Sequence, residues 1–152
     1  MRPWLHQAGN TSHFHWNLDC SVGKGGQNSL PCEVSYIQWY YTLAAQHPLT
    51  PQDRKAVYSK VAVTGRCTGA DSDPLVQAIL IHQKALSHPV IDGKISVATG
   101  DGKVGSNAFF IIRLNARLSD MHPNVWPRLD LIPGCPGIVA NAVRACVPRV
   151  SA

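Results

Sequence analysis

Acidic side chains are scarce in this sequence. Its 152 residues include 14 Lys and Arg but only 9 Asp and Glu, which gives a formal net charge of +5, and Glu33 is the only glutamate. A basic surface favours anionic partners such as nucleic acid, anionic lipid or a carboxylate-bearing glycopeptide. The cations are scattered, however, without a run of five or six, so a merely solvated basic surface explains the charge equally well.

Long apolar runs are also missing. No window approaches the roughly 20 apolar residues of a membrane-spanning helix, so we predict no membrane span. The first residues, Met1–Gln7, lack the apolar run of a signal peptide, and the chain is therefore either not exported by that route or is a piece of a larger protein. The sequence has no basic helix and no recognised nucleic-acid motif, so we predict no nucleic-acid partner.

The five cysteines include no Cys-x-x-Cys pair, which argues against a zinc ribbon or a thioredoxin-like redox site. Cys135 and Cys146 flank a short C-terminal segment and are predicted to form a disulfide. Cys20 or Cys32 with Cys67 is a second candidate pair. Disulfides would imply an oxidising compartment such as the periplasm. The alternative is that all five are buried, reduced thiols.

The most strongly patterned stretch is a glycine-rich loop that leads into a helix. The loop spans residues 21–28, Asn28 or Ser29 is the expected cap, and Pro31 suits the first helical turn. An apolar stripe follows at helical spacing. The loop lacks both a preceding buried strand and a Gly-Lys-Ser/Thr ending, so it is not predicted to bind phosphate.

Four further helices are predicted from capping residues and periodicity. They cover residues 51–60, a segment that begins at Pro74, a segment after Ser106, and residues 138–145. Near the N-terminus, His13 and His15 would share one side of a short strand. Because the sequence specifies no third ligand for these two histidines, we predict no metal site and no cofactor.

The order of several motifs resembles that of peptidoglycan-binding-like domains. The glycine loop Ser21–Asn28 followed by Glu33–Gln38 resembles the opening loop and first helix of that family. Leu75–Gln83 is similar to its second helix, Asp92–Ile95 to its Asp-Gly turn, and Leu114-Asn115 to the end of its third helix.

The resemblance covers about residues 20–118 and implies a mainly α fold, a small three-helix peptidoglycan-binding-like bundle. We expect residues 1–19 to form an irregular N-terminal arm. Residues 119–152 have no counterpart in the basic family unit and are predicted to form a disulfide-stapled extension packed on the domain.

The function implied by the resemblance is a non-catalytic module that binds peptidoglycan, through its stem peptide or its glycan. Such modules occur beside cell-wall-degrading domains, including effectors that Gram-negative bacteria deliver by contact-dependent (type VI) secretion. That context implies a protein secreted or delivered to the periplasm without a Sec signal peptide. An alternative is a protein-docking module for a secretion spike or for an immunity protein that inhibits the effector.

Candidate ligand-binding residues follow from the loops that the resemblance places around a groove. Backbone N–H groups of the glycine loop and of helix N-termini are expected to accept a stem-peptide carboxylate. Trp39 and Tyr40 lie partly off the apolar stripe and are predicted to be exposed contacts. The basic candidates beside the loops are Lys24, Lys94, Lys103 and Arg113.

A peptidoglycan hydrolase or amidase is the enzymatic alternative. Cys32 at a helix N-terminus is the best-placed thiol nucleophile, with His82 or His47 as its base. Glu33 is a candidate acid, but a carboxylate in the first turn of a helix already has a structural role opposite the helix dipole. The His-Glu-x-x-His pattern of zinc peptidases is absent, and we favour the non-catalytic interpretation.

Overall fold

The computed structural model describes residues 1–8 and 10–146. The strands in this part of the chain are β1 (Arg2–Ala8), β2 (Thr11–Asn17), β3 (Val22–Gly23), β4 (Lys94–Ile95), β5 (Lys103–Val104) and β6 (Asn107–Ala108). The helices are α1 (Pro31–Gln46), α2 (Gln52–Tyr58), α3 (Pro74–Ala85), α4 (Phe110–Met121) and α5 (Gly137–Cys146), with a 3-10 turn at Leu129–Leu131.

The predicted mainly α three-helix bundle is wrong. Five α-helices and three two-stranded antiparallel sheets make up the described residues, an α+β mixture. The sheets join segments that are distant in sequence as well as neighbours, because β3 of the glycine loop pairs with β4. Periodicity within a short window does not report such pairing, since a strand of two residues carries no pattern of its own.

Helix α1 is the centre of the core. Pro31 occupies its first turn as predicted, and His47 caps its C-terminal end just before Pro48. The helix is buried on nearly all sides, with Val34 and Ile37 at 0% exposure. Its N-cap is Leu30, without a side-chain cap hydrogen bond, and the predicted cap at Asn28 or Ser29 is wrong.

Two glutamines hold the loops that surround this core. Gln38 of α1 accepts hydrogen bonds from the N–H groups of Thr64 and Gly65, each at 2.9 Å, and donates to the carbonyl of Arg66 at 2.9 Å. Gly65 adopts φ +72°, a conformation that side chains rarely tolerate. The amide of Gln38 thereby satisfies a backbone turn that makes no ladder hydrogen bonds of its own.

Gln83 of α3 repeats this arrangement at the turn before β4. Its side-chain oxygen accepts from the N–H groups of Asp92 at 3.1 Å and Gly93 at 2.9 Å, and its amide donates to the carbonyl of Lys94 at 3.0 Å. Gly93 has φ +73°. The carbonyl of Gly93 in this turn accepts a hydrogen bond from the N–H of Lys24 at 2.9 Å. Helix α3 therefore positions the glycine loop through Gln83.

The N-terminal segment is a regular hairpin, and the expectation of an irregular arm is wrong. Strands β1 and β2 pair from Arg2↔Asn17 to Ala8↔Thr11. Asn115 of α4 anchors the hairpin, because it accepts the N–H of Trp16 at 2.7 Å and donates to the carbonyl of Trp16 at 3.0 Å. The hairpin therefore packs on α4.

The C-terminal extension contributes to the same core. Leu129, Val139 and Val143 are each 0% exposed, and the indole of Trp16 donates to the carbonyl of Pro127 at 2.8 Å. The extension is thus packed on the helices up to Cys146, and residues 147–152 lie outside the described part of the chain.

The predicted disulfides are wrong. All five cysteines lie in the described residues, and all five are free thiols. Cys135 precedes α5 and Cys146 ends it, so a helix of 10 residues separates them. At about 1.5 Å per residue this helix spans about 15 Å, whereas bonded cysteines need Cα atoms within about 7 Å. Cys67 bonds neither Cys20, which lies just before β3, nor Cys32, which lies in the first turn of α1, because all three are free thiols.

Helix α4 begins later than predicted. Residues 103–108 form the β5–β6 hairpin, and Phe109 rather than Ser106 precedes the first helical residue. The N–H of Phe109 donates to the carbonyl of Gly102 at 2.9 Å, which closes the base of this hairpin.

Among the described residues, no helix is both long and apolar enough to cross a membrane.

Candidate functional site

A groove between the four helices α1 to α4 is lined by both polar and apolar side chains. It encloses about 380 Å³. Arg54 of α2 and Arg113 and Arg117 of α4 line its walls, and Tyr40, Tyr58 and His82 line it from α1, α2 and α3. We call it the arginine groove.

The positions of the arginines follow from the helices that carry them. Arg113 and Arg117 are one turn apart on α4 and so lie on one face of that helix, while Leu114 and Leu118 are fully buried on its other side. Arg54 approaches from α2 across the groove. Three guanidinium groups thus share the groove with a single carboxylate, that of Asp120, which gives it a net positive charge.

Aromatic rings form the inner part of the groove. The rings of Tyr40 and His82 are stacked, with centroids 5.9 Å apart and planes 8° apart. Burial, and then the charges of Arg54 and Arg117, lower the pKa of His82 to about 4. His82 is therefore neutral near pH 7, and its Nδ1 lies 3.3 Å from the hydroxyl of Tyr41.

The hydroxyl of Tyr58 has no acceptor for its proton within the residues that the structure describes, although Tyr58 is only 2% exposed. Burial raises its pKa to about 12, and Arg54 offsets part of that rise through its charge and as a hydrogen-bond donor to the Tyr58 oxygen. The hydroxyl therefore keeps its proton, which the guanidinium cannot accept because arginine only donates. A buried polar group without a partner is rare and destabilising, so this hydroxyl is a donor that a ligand would satisfy.

A second groove lies on the other side of α4, between the N-terminal hairpin and the C-terminal extension. It encloses about 390 Å³ and is lined by His13, Phe14 and His15 of β2 and by Trp126 of the extension, among others. We call it the hairpin groove. Ala116 and Asp120 of α4 line both grooves.

Three histidines cluster on the hairpin. His6 joins His13 and His15, with ring centroids 5.7 to 6.3 Å apart. Burial, and then the charges of His6 and His13, lower the pKa of His15 to about 4. As they stand, no three His, Cys, Asp or Glu side chains among the described residues are arranged to hold a metal ion.

The predicted basic ligand contacts do not come together. Only Arg113 lines the arginine groove. Lys24 forms an ion pair with Asp71, with Nζ 2.6 Å from Oδ1. Lys94 and Lys103 belong to two different small sheets, outside either groove.

The expectation that Trp39 and Tyr40 are exposed is wrong, because they are 3% and 2% exposed. Helices α2 and α5 pack on α1 and cover surface that a bare three-helix bundle would leave open, and Trp39 belongs to the buried core cluster. Tyr40 still lines the arginine groove with its ring.

The glycine loop does not present its backbone to a ligand. The N–H groups of Gly26 and Asn28 donate to carbonyls within the loop, at 3.1 and 3.0 Å. The N–H of Gly23 donates to the Asn28 side chain at 2.8 Å, and that of Lys24 to the β4 turn. These donors are used in holding the loop against β4, which explains the strong sequence pattern without a ligand.

Glu33 has a structural position. Its carboxylate is 0% exposed and accepts the N–H groups of Asp19 at 2.5 Å and Cys20 at 2.9 Å. In this chain it also forms an ion pair with the terminal ammonium of Met1 at 2.5 Å. A carboxylate enclosed in this way is not accessible to a substrate.

The thiol of Cys32 does not meet a histidine base. Cys32 lies in the first turn of α1, whereas Tyr41, which contacts His82, lies near the other end. The rise of the helix separates them by about 13 Å. His47 is farther still, at the C-cap of α1. The structure therefore does not assemble the predicted Cys-His pair.

Arg54, Tyr58 and Arg117 were missed from the sequence. The spacing of Arg113 and Arg117 on an amphipathic helix was a usable signal, since it places two cations on one exposed face. Tyr58 gave no signal, because an unpartnered hydroxyl becomes visible only when every neighbour has been placed.

Comparison with protein-family models, with curated proteins and with solved structures found no match for this chain. The comparisons thus lend no support to the effector and secretion context that the resemblance implies, and peptidoglycan binding stays a prediction.

Proposed function

We propose that this chain is a non-catalytic binding module whose arginine groove takes a carboxylate group of a peptidoglycan stem peptide. The observation that carries the proposal is the convergence of three arginines on a groove that also holds a buried tyrosine hydroxyl whose proton has no acceptor among the described residues. The motif resemblance over residues 20–118 supports the choice of ligand.

The chemistry of the groove suits a carboxylate better than other ligands. Guanidinium groups bind carboxylates through paired, charge-assisted hydrogen bonds. The hydroxyl of Tyr58 adds a neutral donor, which favours an acceptor oxygen over a cation. Exposed apolar side chains at the rim, Leu49 and Leu86, suit the aliphatic parts of a short peptide.

The same groove lacks the parts of a hydrolase. His82 is the only histidine that lines it, no cysteine lines it, and its single carboxylate is the exposed Asp120. General acid–base catalysis of glycoside cleavage uses two placed carboxylates. Binding without cleavage is therefore the function that we propose, and its place of action is the cell wall.

Co-sedimentation with purified insoluble peptidoglycan tests the proposal. We expect the protein to pellet with the polymer, and we expect Arg113→Gln with Arg117→Gln to weaken retention at least about tenfold, because two charged contacts are lost. Retention should also fall as salt is raised, since exposed charges are screened.

Arg66→Gln with Lys60→Gln is the matched control, because it also removes two positive charges, from exposed positions outside the arginine groove. Equal loss of binding in this variant and in Arg113→Gln with Arg117→Gln would show non-specific attraction to a basic surface. No retention of the wild-type protein at low salt would refute the proposal.

A further inference from the structure

The hairpin groove has a different chemistry from the arginine groove. Its lining contains no lysine or arginine, and its one carboxylate is Asp120. Two half-buried aromatic rings, Phe14 and Trp126, are accompanied by the hydroxyls of Ser12 and Ser119. Flat apolar surface combined with uncharged hydrogen-bonding groups suits a neutral, hydroxyl-rich ligand.

A buried imidazole in this groove lacks a partner. His15 is 9% exposed, and its Nδ1 has no hydrogen-bond partner within the described residues. Burial, and then the charges of His6 and His13, lower its pKa to about 4, so the ring is neutral near pH 7. A neutral imidazole both donates and accepts, as does the hydroxyl group of a sugar.

The two grooves are adjacent. Ala116 and Asp120 line both and lie one turn apart on α4, so a single exposed ridge separates the grooves. The side chain at the crossing point is only a methyl group, that of Ala116. A helix is about 10 Å wide, a distance that one covalently connected ligand can bridge.

We propose that the hairpin groove is a subsite for a sugar ring of the peptidoglycan glycan, beside the stem-peptide carboxylate held in the arginine groove. This inference rests on the proposed function, because the glycan and the stem peptide are covalently joined. The charges of the two grooves determine how the ligand is oriented. The stem-peptide carboxylate lies among the arginines of the arginine groove, and the sugar lies in the hairpin groove, where Asp120 is the only carboxylate and no arginine or lysine is present.

Calorimetry with three soluble probes separates the two subsites. The probes are a stem peptide without sugar, glycan chains from which the stem peptides have been removed, and the intact disaccharide-peptide. We expect both fragments to bind, and the intact compound to bind tighter than either. Added salt should weaken binding of the stem peptide but leave binding of the glycan unchanged, because only the stem-peptide interaction is ionic.

Two variants in the full chain assign the glycan to its groove. Trp126→Leu keeps an apolar side chain but removes the flat ring, and we expect about fivefold weaker glycan binding with unchanged stem-peptide binding. Asp120→Asn, at an exposed position, should change the two affinities in opposite directions. Affinity for the glycan should fall about threefold because a charged acceptor is lost. Affinity for the stem peptide should rise about twofold because a charge of the same sign as its carboxylate is removed.

The outcomes distinguish this inference from the proposed function. Stem-peptide binding without glycan binding, or glycan binding that both variants leave intact, would overturn the sugar subsite alone. Glycan binding that is weakened in both variants, without stem-peptide binding, would uphold the subsite and overturn the carboxylate groove. Binding of neither fragment would overturn both.

Discussion

Tyr58 shows how one hydroxyl connects stability with binding. It is buried against Tyr41 and His82, with ring centroids at 4.9 and 6.0 Å, yet the proton of its hydroxyl has no acceptor among the described residues. An unsatisfied buried hydroxyl lowers the free energy of unfolding by about 1–3 kcal/mol. A ligand that accepts from it recovers this cost, so the same atom that weakens the free protein strengthens the complex.

Tyr58→Phe should therefore stabilise the free protein and weaken its complex. We expect the free energy of unfolding in urea to rise by about 1 kcal/mol and stem-peptide affinity to fall about fivefold. Tyr36→Phe is the matched control, because the hydroxyl of Tyr36 is also buried without a partner among the described residues but lies outside the arginine groove. A loss of affinity in Tyr36→Phe, or none in Tyr58→Phe, would remove Tyr58 from the site.

The side chain of Glu33 stabilises the fold and does not face a ligand, since all its described contacts lie within the protein. We expect Glu33→Gln to lower the free energy of unfolding by about 2–4 kcal/mol, because it exchanges a charged acceptor for a group that also carries donors. Urea denaturation measures the change, with Asp53→Asn on the exposed side of α2 as a control. A change below about 0.5 kcal/mol would show that the buried carboxylate is not needed for folding.

Among the elements, the helices could be predicted from the sequence, whereas of the strands only β2 left a signal, around His13 and His15. Pro74 in the first turn locates α3, and in the structure Asp73 caps this helix by accepting the N–H of Leu75 at 2.9 Å. These signals are local, so they survive without knowledge of the fold. Strands β3 and β4 depend on a partner more than seventy residues away, as in Val22↔Ile95. The disulfide prediction failed for a local reason instead, because it ignored the length of the predicted helix between Cys135 and Cys146.

The side-chain amide of Gln83 connects α3 to the turn before β4, so its removal should destabilise that turn. Gln83→Leu leaves the N–H groups of Asp92 and Gly93 without their acceptor, and we expect the free energy of unfolding to fall by about 2–4 kcal/mol. Amide hydrogen exchange should accelerate at Asp92, Gly93 and Lys24 first, since the glycine loop is held through this turn.

Gln77→Leu is the control on the same helix. The amide of Gln77 donates only to the carbonyl of Asp71 in an exposed hydrogen bond, which water can replace, so stability should change by less than about 0.5 kcal/mol. Equal effects of the two variants would show that the contribution of Gln83 is ordinary helix propensity rather than the satisfaction of a turn.

For the whole molecule, the grooves could be predicted only in part. Arg113 and Tyr40 were named from the sequence, and both line the arginine groove. The groove itself depends on how α2 and α4 face each other, which no short motif encodes. The basic composition correctly suggested an excess of cations, but not that three arginines would meet while Lys24 forms an ion pair elsewhere.

The two buried histidines make the stability of the molecule depend on pH. His15 and His82 each have a folded pKa near 4 and an ordinary value of 6.5. The unfolded chain takes up their protons first as the pH falls, so their stabilisation is complete above pH 6.5 and is lost as the pH approaches 4. We expect the free energy of unfolding to fall by about 5 kcal/mol between pH 7 and pH 4.5, since each histidine contributes about half of this change.

Urea denaturation across that range checks the pH dependence. His82→Phe keeps an aromatic ring against Tyr40 and removes one titrating group, so its stability should vary less with pH than that of the wild type. A wild-type stability that is constant from pH 7 to pH 4.5 would contradict the burial of neutral histidines.

The most direct test of the arginine groove compares two forms of one ligand. Calorimetry would measure the affinity of a soluble stem peptide with free carboxylates and of the same peptide with those carboxylates converted to amides. If the three arginines and Tyr58 hold a carboxylate, the free acid should bind at least about tenfold tighter, and Arg113→Gln with Arg117→Gln should abolish the difference. Equal affinity for the two peptides, or no binding of the free acid, would contradict the account.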